Sequence, residues 1–360
     1  MTNATTHVFV MARGQGTRLH PLTDDTYKPN VCFAGQYRII DFVLSNLEQS
    51  GIQNITVLTP KDGDQLCRHI QKHWSNVRTY NVTTGDSLIG NAASVLQALR
   101  ANIDEYATHI GIFPSDQVFH FNLRETLLQH RSSNCKASIL TRWHRSDSAY
   151  KFGVLRAENN TIIDFIEKPN SLPKSYIQKD LCRVNMGIYW FNRTELLKIL
   201  LKDAQNVYSS NDFGHDVLPL LIKNTSTHMI DIATSTPWED VGTVACYWDA
   251  HWRYKADLHS WNIRETIPGS VLKTGYTSSP IPTTTQMEQC IIGERVAIGE
   301  YCTLKQVIVD AGCVLDNHLE ISLDTPISGT VYKTPECLII PKNSVVKYNY
   351  DRQIITVEQP

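Results

Sequence analysis

The sequence has no apolar stretch of membrane-spanning length, no C-x-x-C pair and no block of charge of one sign. The first absence argues against a membrane-spanning helix. The second, with nine cysteines at scattered positions, argues against both a disulfide framework and a zinc site and fits a reducing cytosol. The third, with a formal net charge of −2, leaves no basic stripe to neutralise a phosphate backbone, so nucleic acid is not an expected partner. Two phosphate-binding signatures are missing as well. No lysine follows the second glycine of the loop at Gly14 and Gly16, which excludes a Walker loop. Leu19 stands where a dinucleotide fingerprint needs its third glycine. The first apolar run, residues 8–11, begins too near the first residue to leave room for a signal or transit peptide. The sequence therefore predicts a soluble, cytoplasmic protein with no membrane partner.

What is present is a chain of 360 residues, 42% hydrophobic, enough for one large domain and a smaller one. Short apolar runs at 8–11, 55–58 and 110–113 alternate with amphipathic stretches at 39–49 and 92–102. That is the β-α-β rhythm of a parallel sheet, and continuous rather than alternating apolar runs predict strands buried on both faces. Between about 136 and 191 the pattern shifts to strands split by polar turns, at 137–141, 153–155, 162–165 and 187–191, which predicts an inserted mixed-sheet lobe. Stretches at 195–201, 213–222 and 245–254 close the domain. From about 269 the composition turns to Pro, Thr and Ser through 278–285, a predicted linker. After it, Ile292, Ile298 and Leu304 recur every six residues, as do Val296, Cys302, Ile308 and Val314. A six-residue period predicts a parallel β-helix, in which each face of a triangular coil contributes one inward aliphatic residue. The expected division is 1–268 and 269–360.

The chemistry-bearing motif follows the first strand: Ala12-Arg13-Gly14-Gln15-Gly16-Thr17-Arg18-Leu19, and further on Lys28-Pro29. Gly14 and Gly16 let backbone N–H groups approach phosphate oxygens, while Arg18 and Lys28 supply positive charge to a transferring polyphosphate. A bare G-x-G is most often a plain turn; its place at a strand end and the downstream lysine point to nucleotide handling. Asp116 lies just past the run at 110–113, at the strand end where an α/β sheet binds ligand, and Asp240 lies at another candidate strand end.

The loop, the run Tyr37-Arg38-Ile39-Ile40-Asp41-Phe42 with Leu44-Ser45-Asn46, and the motifs Phe165-Ile166-Glu167-Lys168-Pro169, Asp212-Phe213-Gly214 and Trp238-Glu239-Asp240-Val241-Gly242 resemble the ADP-glucose pyrophosphorylases, that is, the glucose-1-phosphate adenylyltransferases. The resemblance covers most of the chain. It implies an α/β fold, a Rossmann-like nucleotidyltransferase domain with a mixed sheet, followed by a left-handed parallel β-helix. It implies ATP and glucose 1-phosphate as substrates and Mg2+ as cofactor, held by Asp116 and Asp240. Arg18, Lys28 and Asp116 would be catalytic, and Ala12, Arg13, Gly14, Gly16, Thr17 and Gly90 would bind the nucleotide. Gly153, Glu167, Lys168, Asn185, Tyr189, Asp212, Phe213 and Trp238 would hold the sugar phosphate. A homo-oligomer, dimer or tetramer, is also implied, as is a hetero-oligomer with an active paralogue should this chain be a regulatory subunit.

The chain departs from the family pattern at defined places. Arg13 replaces the first of two adjacent glycines, and Asn185 replaces a usual serine. The segment 86–94 stands where the family carries a motif resembling W-Y-x-G-T-A-D-A, with Leu88 for tyrosine, Asn91 for threonine and Ala93 for aspartate. Asp25 stands where many bacterial members have a lysine, and the tail is shorter than usual. These changes keep two alternatives open beside an active adenylyltransferase: a catalytically weak regulatory paralogue that binds nucleotide or sugar phosphate, and the same transfer with another base.

Overall fold

A computed structural model describes residues 5–35, 37–83, 90–104, 107–261, 263, 270–272 and 275–359. The chain forms two compact units. One comprises Met1–Arg13, Val43–Ser115 and Phe119–Trp238, the other Gly14–Phe42, Asp116–Val118 and Glu239–Pro360. The expected boundary at 268/269 falls outside the described residues, and so does Leu88. Among the described residues no helix is long and apolar enough to cross a membrane.

The first unit is built on one nine-stranded sheet. Its strands are β1 (Thr6–Met11), β2 (Ile55–Pro60), β3 (Arg78–Val82), β4 (His109–Pro114), β5 (Ala137–Arg145), β6 (Gly153–Glu158), β7 (Thr161–Glu167), β8 (Leu181–Asn192) and β9 (Thr227–Asp231), in the order β3-β2-β1-β4-β8-β5-β9-β7-β6. The β3-β2-β1-β4 part is parallel. All six residues of β2 are buried, the pattern expected of a strand covered on both faces. The stretch predicted as an inserted mixed-sheet lobe continues this same sheet: β8 pairs antiparallel with both β4 and β5. Helices α1 (Ile39–Gln49), α2 (Asp64–His73), α3 (Asn91–Arg100), α4 (Leu123–Ser132), α5 (Arg193–Ala204) and α6 (Leu218–Asn224) accompany the strands. Residues from α3, α5 and α6 pack with Phe9, Ile112 and Ile139 in one apolar core.

The second unit contains the β-helix and a further helix, α7 (Val244–Arg253). Successive coils pair in parallel with an offset of 17 residues, Gln286 against Thr303 and Ala297 against Val314. The inward ladder follows that spacing: Val296 over Cys313, Ile298 over Leu315, Cys302 over Leu319 and Leu304 over Ile321, all buried. Three turns of six would give 18, so one corner is a residue short. The predicted series therefore fails after Cys302: Val307 and Cys313 take the inward places, while Ile308 faces outward and Val314 is 44% exposed. The next coil is 31 residues on, Val307 against Leu338, and carries an insertion with the short strands Ile327–Gly329 and Tyr332–Lys333. The segment predicted as a linker is built into the first corner: Ser279 Oγ donates to the Gly293 carbonyl and accepts from the Val296 N–H, and Thr285 Oγ1 donates to the Gly299 carbonyl.

An outward apolar stripe of the coils, Ile291, Ile308 and Ile339, belongs to a core shared with Leu19, Leu22, Phe33, Tyr247, Trp248 and Tyr276. The segment 14–42 and α7 are thus packed on the β-helix by burial of large side chains, a non-directional force that grows with apolar area.

Candidate active site

Two groups of the expected site residues come together, one within each unit. In the second unit the loop turns at Gly16, whose φ of 74° is in the left-handed region. A side chain there would also place Cβ 2.6 Å from Lys28 Cβ, so glycine is required twice over at this position. Thr23 Oγ1 donates to the Gly16 carbonyl and fixes the turn. Lys28, in the short helical turn Lys28–Asn30, is buried, yet its ammonium donates to Asp116 Oδ2 at 2.9 Å and to Asp240 Oδ1 at 3.2 Å. Burial alone would lower its pKa, but the two carboxylates outweigh that and hold it above the ordinary lysine value. Both aspartate side chains remain about one-third exposed (33% and 31%). Arg18 reaches the same place: a Cβ on Gly242 would lie 3.3 Å from Arg18 Nη2 and 3.6 Å from Asp240 Oδ1. Gly14 and Thr17 are exposed in the loop, and a Cβ on Gly14 would meet nothing within 4 Å.

In the first unit, Arg13 has no left-handed backbone and is partly buried; its Nη1 donates to Ser94 Oγ at 2.6 Å. Ser94 lies in the first turns of α3 and itself donates to the Gly90 carbonyl. The side chain at position 13 is therefore bonded to the start of α3. Gly90 has an internal reason to be glycine: φ is 130°, and a Cβ would sit 2.4 Å from the carbonyl oxygens of Ser210 and Asn211. Ala12 is fully buried, and its N–H is bonded to the Leu58 carbonyl.

Glu167 ends β7 with its carboxylate in a slot between two glycines. A Cβ on Gly153 would fall 2.6 Å from Glu167 Oε2, and one on Gly214 would fall 2.6 Å from its Cδ. Lys168, 55% exposed and with a φ of 41°, pairs with Glu167 Oε1 at 3.1 Å. A register shift in the pairing of β8 with β5 lies between Asn185 and Tyr189. Across it Asn185 Oδ1 accepts from the Gly187 N–H and its amide donates to Tyr189 Oη at 2.8 Å. Tyr189 is buried and stacks on Phe213, with ring centroids 5.5 Å apart. Its pKa is pushed up, first by burial; the nearby Glu167 and Asp212 charges add to the rise. Asp212 caps the turn after it, accepting from the Gly214 and His215 N–H groups, and also accepts from Asn91 at 2.9 Å. Asn91 in turn accepts from the Phe213 N–H. Trp238 is buried beneath the Arg142 guanidinium, 5.4 Å from the ring centre, and beside Phe152.

Three contributors carried no role in the sequence reading. Gly214 and Gly242 lie inside quoted motifs, so their positions were visible and only their steric purpose was not. Ser94 and its bond to Arg13 join residues 81 apart and left no local signal. Asp116 and Asp240 were visible as candidates, whereas Lys28 as their common bridge was not.

The donor set near Lys28 fits a hard divalent cation. Asp116 Oδ1 and Asp240 Oδ2 make no hydrogen bond among the described residues, and magnesium favours one or two carboxylates with water and phosphate completing its shell.

A buried ammonium between two half-free carboxylates is an arrangement for polyphosphate chemistry, and comparison with known proteins gives it a class. The nucleotidyl transferase family matches residues 7–257, and the chain belongs to that family. A GlmU-like C-terminal hexapeptide family matches residues 264–336, so the coils are a left-handed β-helix of hexapeptide type. Among curated relatives, the glucose-1-phosphate adenylyltransferase of Francisella tularensis subsp. novicida is 28% identical, with 94% of this chain and 95% of that protein aligned. Enzymes of the same name from Methylobacillus flagellatus (29% identical, 92% and 94% aligned) and Dechloromonas aromatica (28%, 89% and 86%) are similar to it in the same way.

Proposed function

We propose that the chain is a glucose-1-phosphate adenylyltransferase of the cytoplasm, joining ATP and glucose 1-phosphate into ADP-glucose with release of pyrophosphate. The observation that carries this reading is Lys28 held between Asp116 and Asp240. In the reaction a glucose-phosphate oxygen forms a bond to the α-phosphorus of ATP as the bond from that phosphorus to the β-phosphate bridging oxygen breaks. Both reactants are anions, so their repulsion is the principal barrier, and fixed positive charge is the principal remedy. Lys28 and Arg18 supply that charge, and the backbone of Gly14 to Thr17 cradles phosphate oxygens. Mg2+, held by Asp116 and Asp240, would neutralise phosphate charge when bound. Glu167 and Asn185 accept or donate to sugar hydroxyls, Lys168 meets the sugar phosphate, and Tyr189, Phe213 and Trp238 wall the pocket. No covalent nucleophile or general base is needed. Residues 1–268 form the catalytic domain in this reading, and the β-helix supports a homo-oligomer.

A second reading, a weak or inactive regulatory paralogue, is favoured by one observation: the Arg13 side chain, absent from the family's loop, reaches α3 beside the altered 86–94 segment. Use of another base is the third. One experiment separates them. Purified protein is mixed with Mg2+, glucose 1-phosphate and each nucleoside triphosphate in turn, and pyrophosphate is measured against an Asp116→Asn control. Release with ATP that disappears in the control supports the adenylyltransferase; release with a different triphosphate moves the base assignment. Ligand binding without release under any condition establishes the paralogue.

A further inference from the structure

The segment that carries Lys28 is tied to the β-helix by charge as well as by apolar packing. Glu294, Ala311 and Lys342 occupy one corner of three successive coils, since Gly312 N–H donates to the Glu294 carbonyl and Asn343 N–H to the Ala311 carbonyl. Asp310 is the neighbour of Ala311 on that corner. Two side chains of the 14–42 segment meet this edge. Arg38 Nη2 pairs with Glu294 Oε1 at 2.8 Å, and Lys342 Nζ donates to both oxygens of Asp25, at 2.6 and 2.8 Å. Asp310 interacts with Lys342, Asp25 and Arg38 together. Two ion pairs thus join the segment to this edge, Arg38 with Glu294 and Lys342 with Asp25, with the Asp310 carboxylate near enough to feel both cations. Asp25 is three residues before Lys28, and Thr23 and Lys28 both touch Gly16 or its carbonyl.

We infer that this charged edge of the β-helix positions the Lys28–Asp116–Asp240 cluster, and that Asp25, Arg38 and Lys342 are positioning residues for nucleotidyl transfer. The inference rests on the proposed function for its catalytic part only. A displacement of about 1 Å in a charge-stabilising group is enough to cost one to two orders of magnitude in rate. Loss of the tie at Asp25 frees the turn 22–31 to move in that range, whereas the apolar core of the unit keeps the fold.

The test uses the full chain with Lys342→Met, Asp25→Asn and the conservative Lys342→Arg. Pyrophosphate release is followed at saturating and limiting glucose 1-phosphate, and backbone hydrogen exchange is followed over residues 22–31. The expected result is a roughly tenfold fall in kcat for Lys342→Met and Asp25→Asn with KM for the sugar phosphate unchanged, faster exchange confined to 22–31, and recovery of both in Lys342→Arg. Unchanged exchange over 22–31 in both neutral variants overturns the inference, and so does faster exchange with an unaltered kcat. If the unmodified protein releases no pyrophosphate while exchange responds as expected, the tie stands and the proposed activity is what fails.

Discussion

At the scale of single residues, the site depends on a few glycines that make room for charged side chains. Gly16→Ala adds a left-handed conformation worth about 1–2 kcal/mol of strain and drives its Cβ into Lys28. Its expected outcome is a fall in pyrophosphate release of at least tenfold with only a modest drop in the denaturant midpoint, because the damage falls on the Lys28 ammonium rather than on the core. Gly14→Ala, where a Cβ meets nothing within 4 Å, isolates the effect of backbone approach to a phosphate: stability stays level while KM for the triphosphate rises. Gly14, Gly16, Lys28 and the aspartates were legible in the sequence because a strand end followed by small residues has a chemical meaning in itself. The Arg13–Ser94 bond was not, since nothing local to either residue announces a partner 81 positions away. A double-mutant cycle on Arg13→Ala and Ser94→Ala should give a coupling of about 1 kcal/mol, the worth of one charge-assisted hydrogen bond that is only partly buried. A coupling near zero in that cycle means that the contact contributes nothing and that Arg13 acts on its own.

At the scale of elements, periodicity was legible where burial was two-sided and lost where strands were polar. Residues 8–11 and 55–58 were read as strands because both faces are covered. Arg78–Val82, an edge strand with two exposed residues, and α2, with only Leu66 and Ile70 buried, gave no such signal. The coils were visible through a six-residue beat, but the true offset of 17 appears only when hydrogen-bond register is known. The outward stripe Ile291, Ile308 and Ile339 was hidden for a related reason: its members are spaced by coil length and separated by an insertion. That stripe has a measurable consequence. Ile308→Ala removes a buried side chain between the coils and the Phe33–Tyr247 core and should cost about 2–4 kcal/mol by chemical denaturation. Val314→Ala, one coil position away and 44% exposed, should cost well under 1 kcal/mol. Comparable losses at the two positions would contradict the 17-residue ladder.

At the scale of the whole molecule, buried histidines set the response to pH. His7, His130 and His251 are 4%, 1% and 0% exposed, and burial lowers their pKa values to about 4, about 4 and about 3, against 6.5 ordinarily. Their native neutrality therefore contributes stability that is complete above pH 6.5 and is lost as the pH falls toward 4, since the unfolded chain takes up protons that the fold refuses. At pH 5 each accounts for about 2 kcal/mol, from 1.5 pH units at about 1.36 kcal/mol each. Asp310 works in the opposite sense. Burial raises its pKa to about 6, so the native carboxyl is penalised as the pH rises from about 4 to 6, and acidification relieves that penalty. From pH 7 to pH 5 this returns about 1 kcal/mol, less after solvent screening of a partly exposed side chain. Three histidines outweigh one aspartate, so stability should fall on going from pH 7 to pH 5, with a net uptake of about two protons on unfolding near pH 5, about three taken up by the histidines less about one released by Asp310. Denaturant titrations at half-unit pH steps read that slope directly. Asp310→Asn separates the two contributions: it should stabilise the protein most at pH 7.5, by a smaller amount at pH 4.5, where the native carboxyl is protonated while the unfolded one, with its ordinary pKa of 3.8, is still mostly ionised, and not at all below about pH 3. Equal stability at pH 7 and pH 5 in the unmodified chain would show that the histidines do not govern the acid limb.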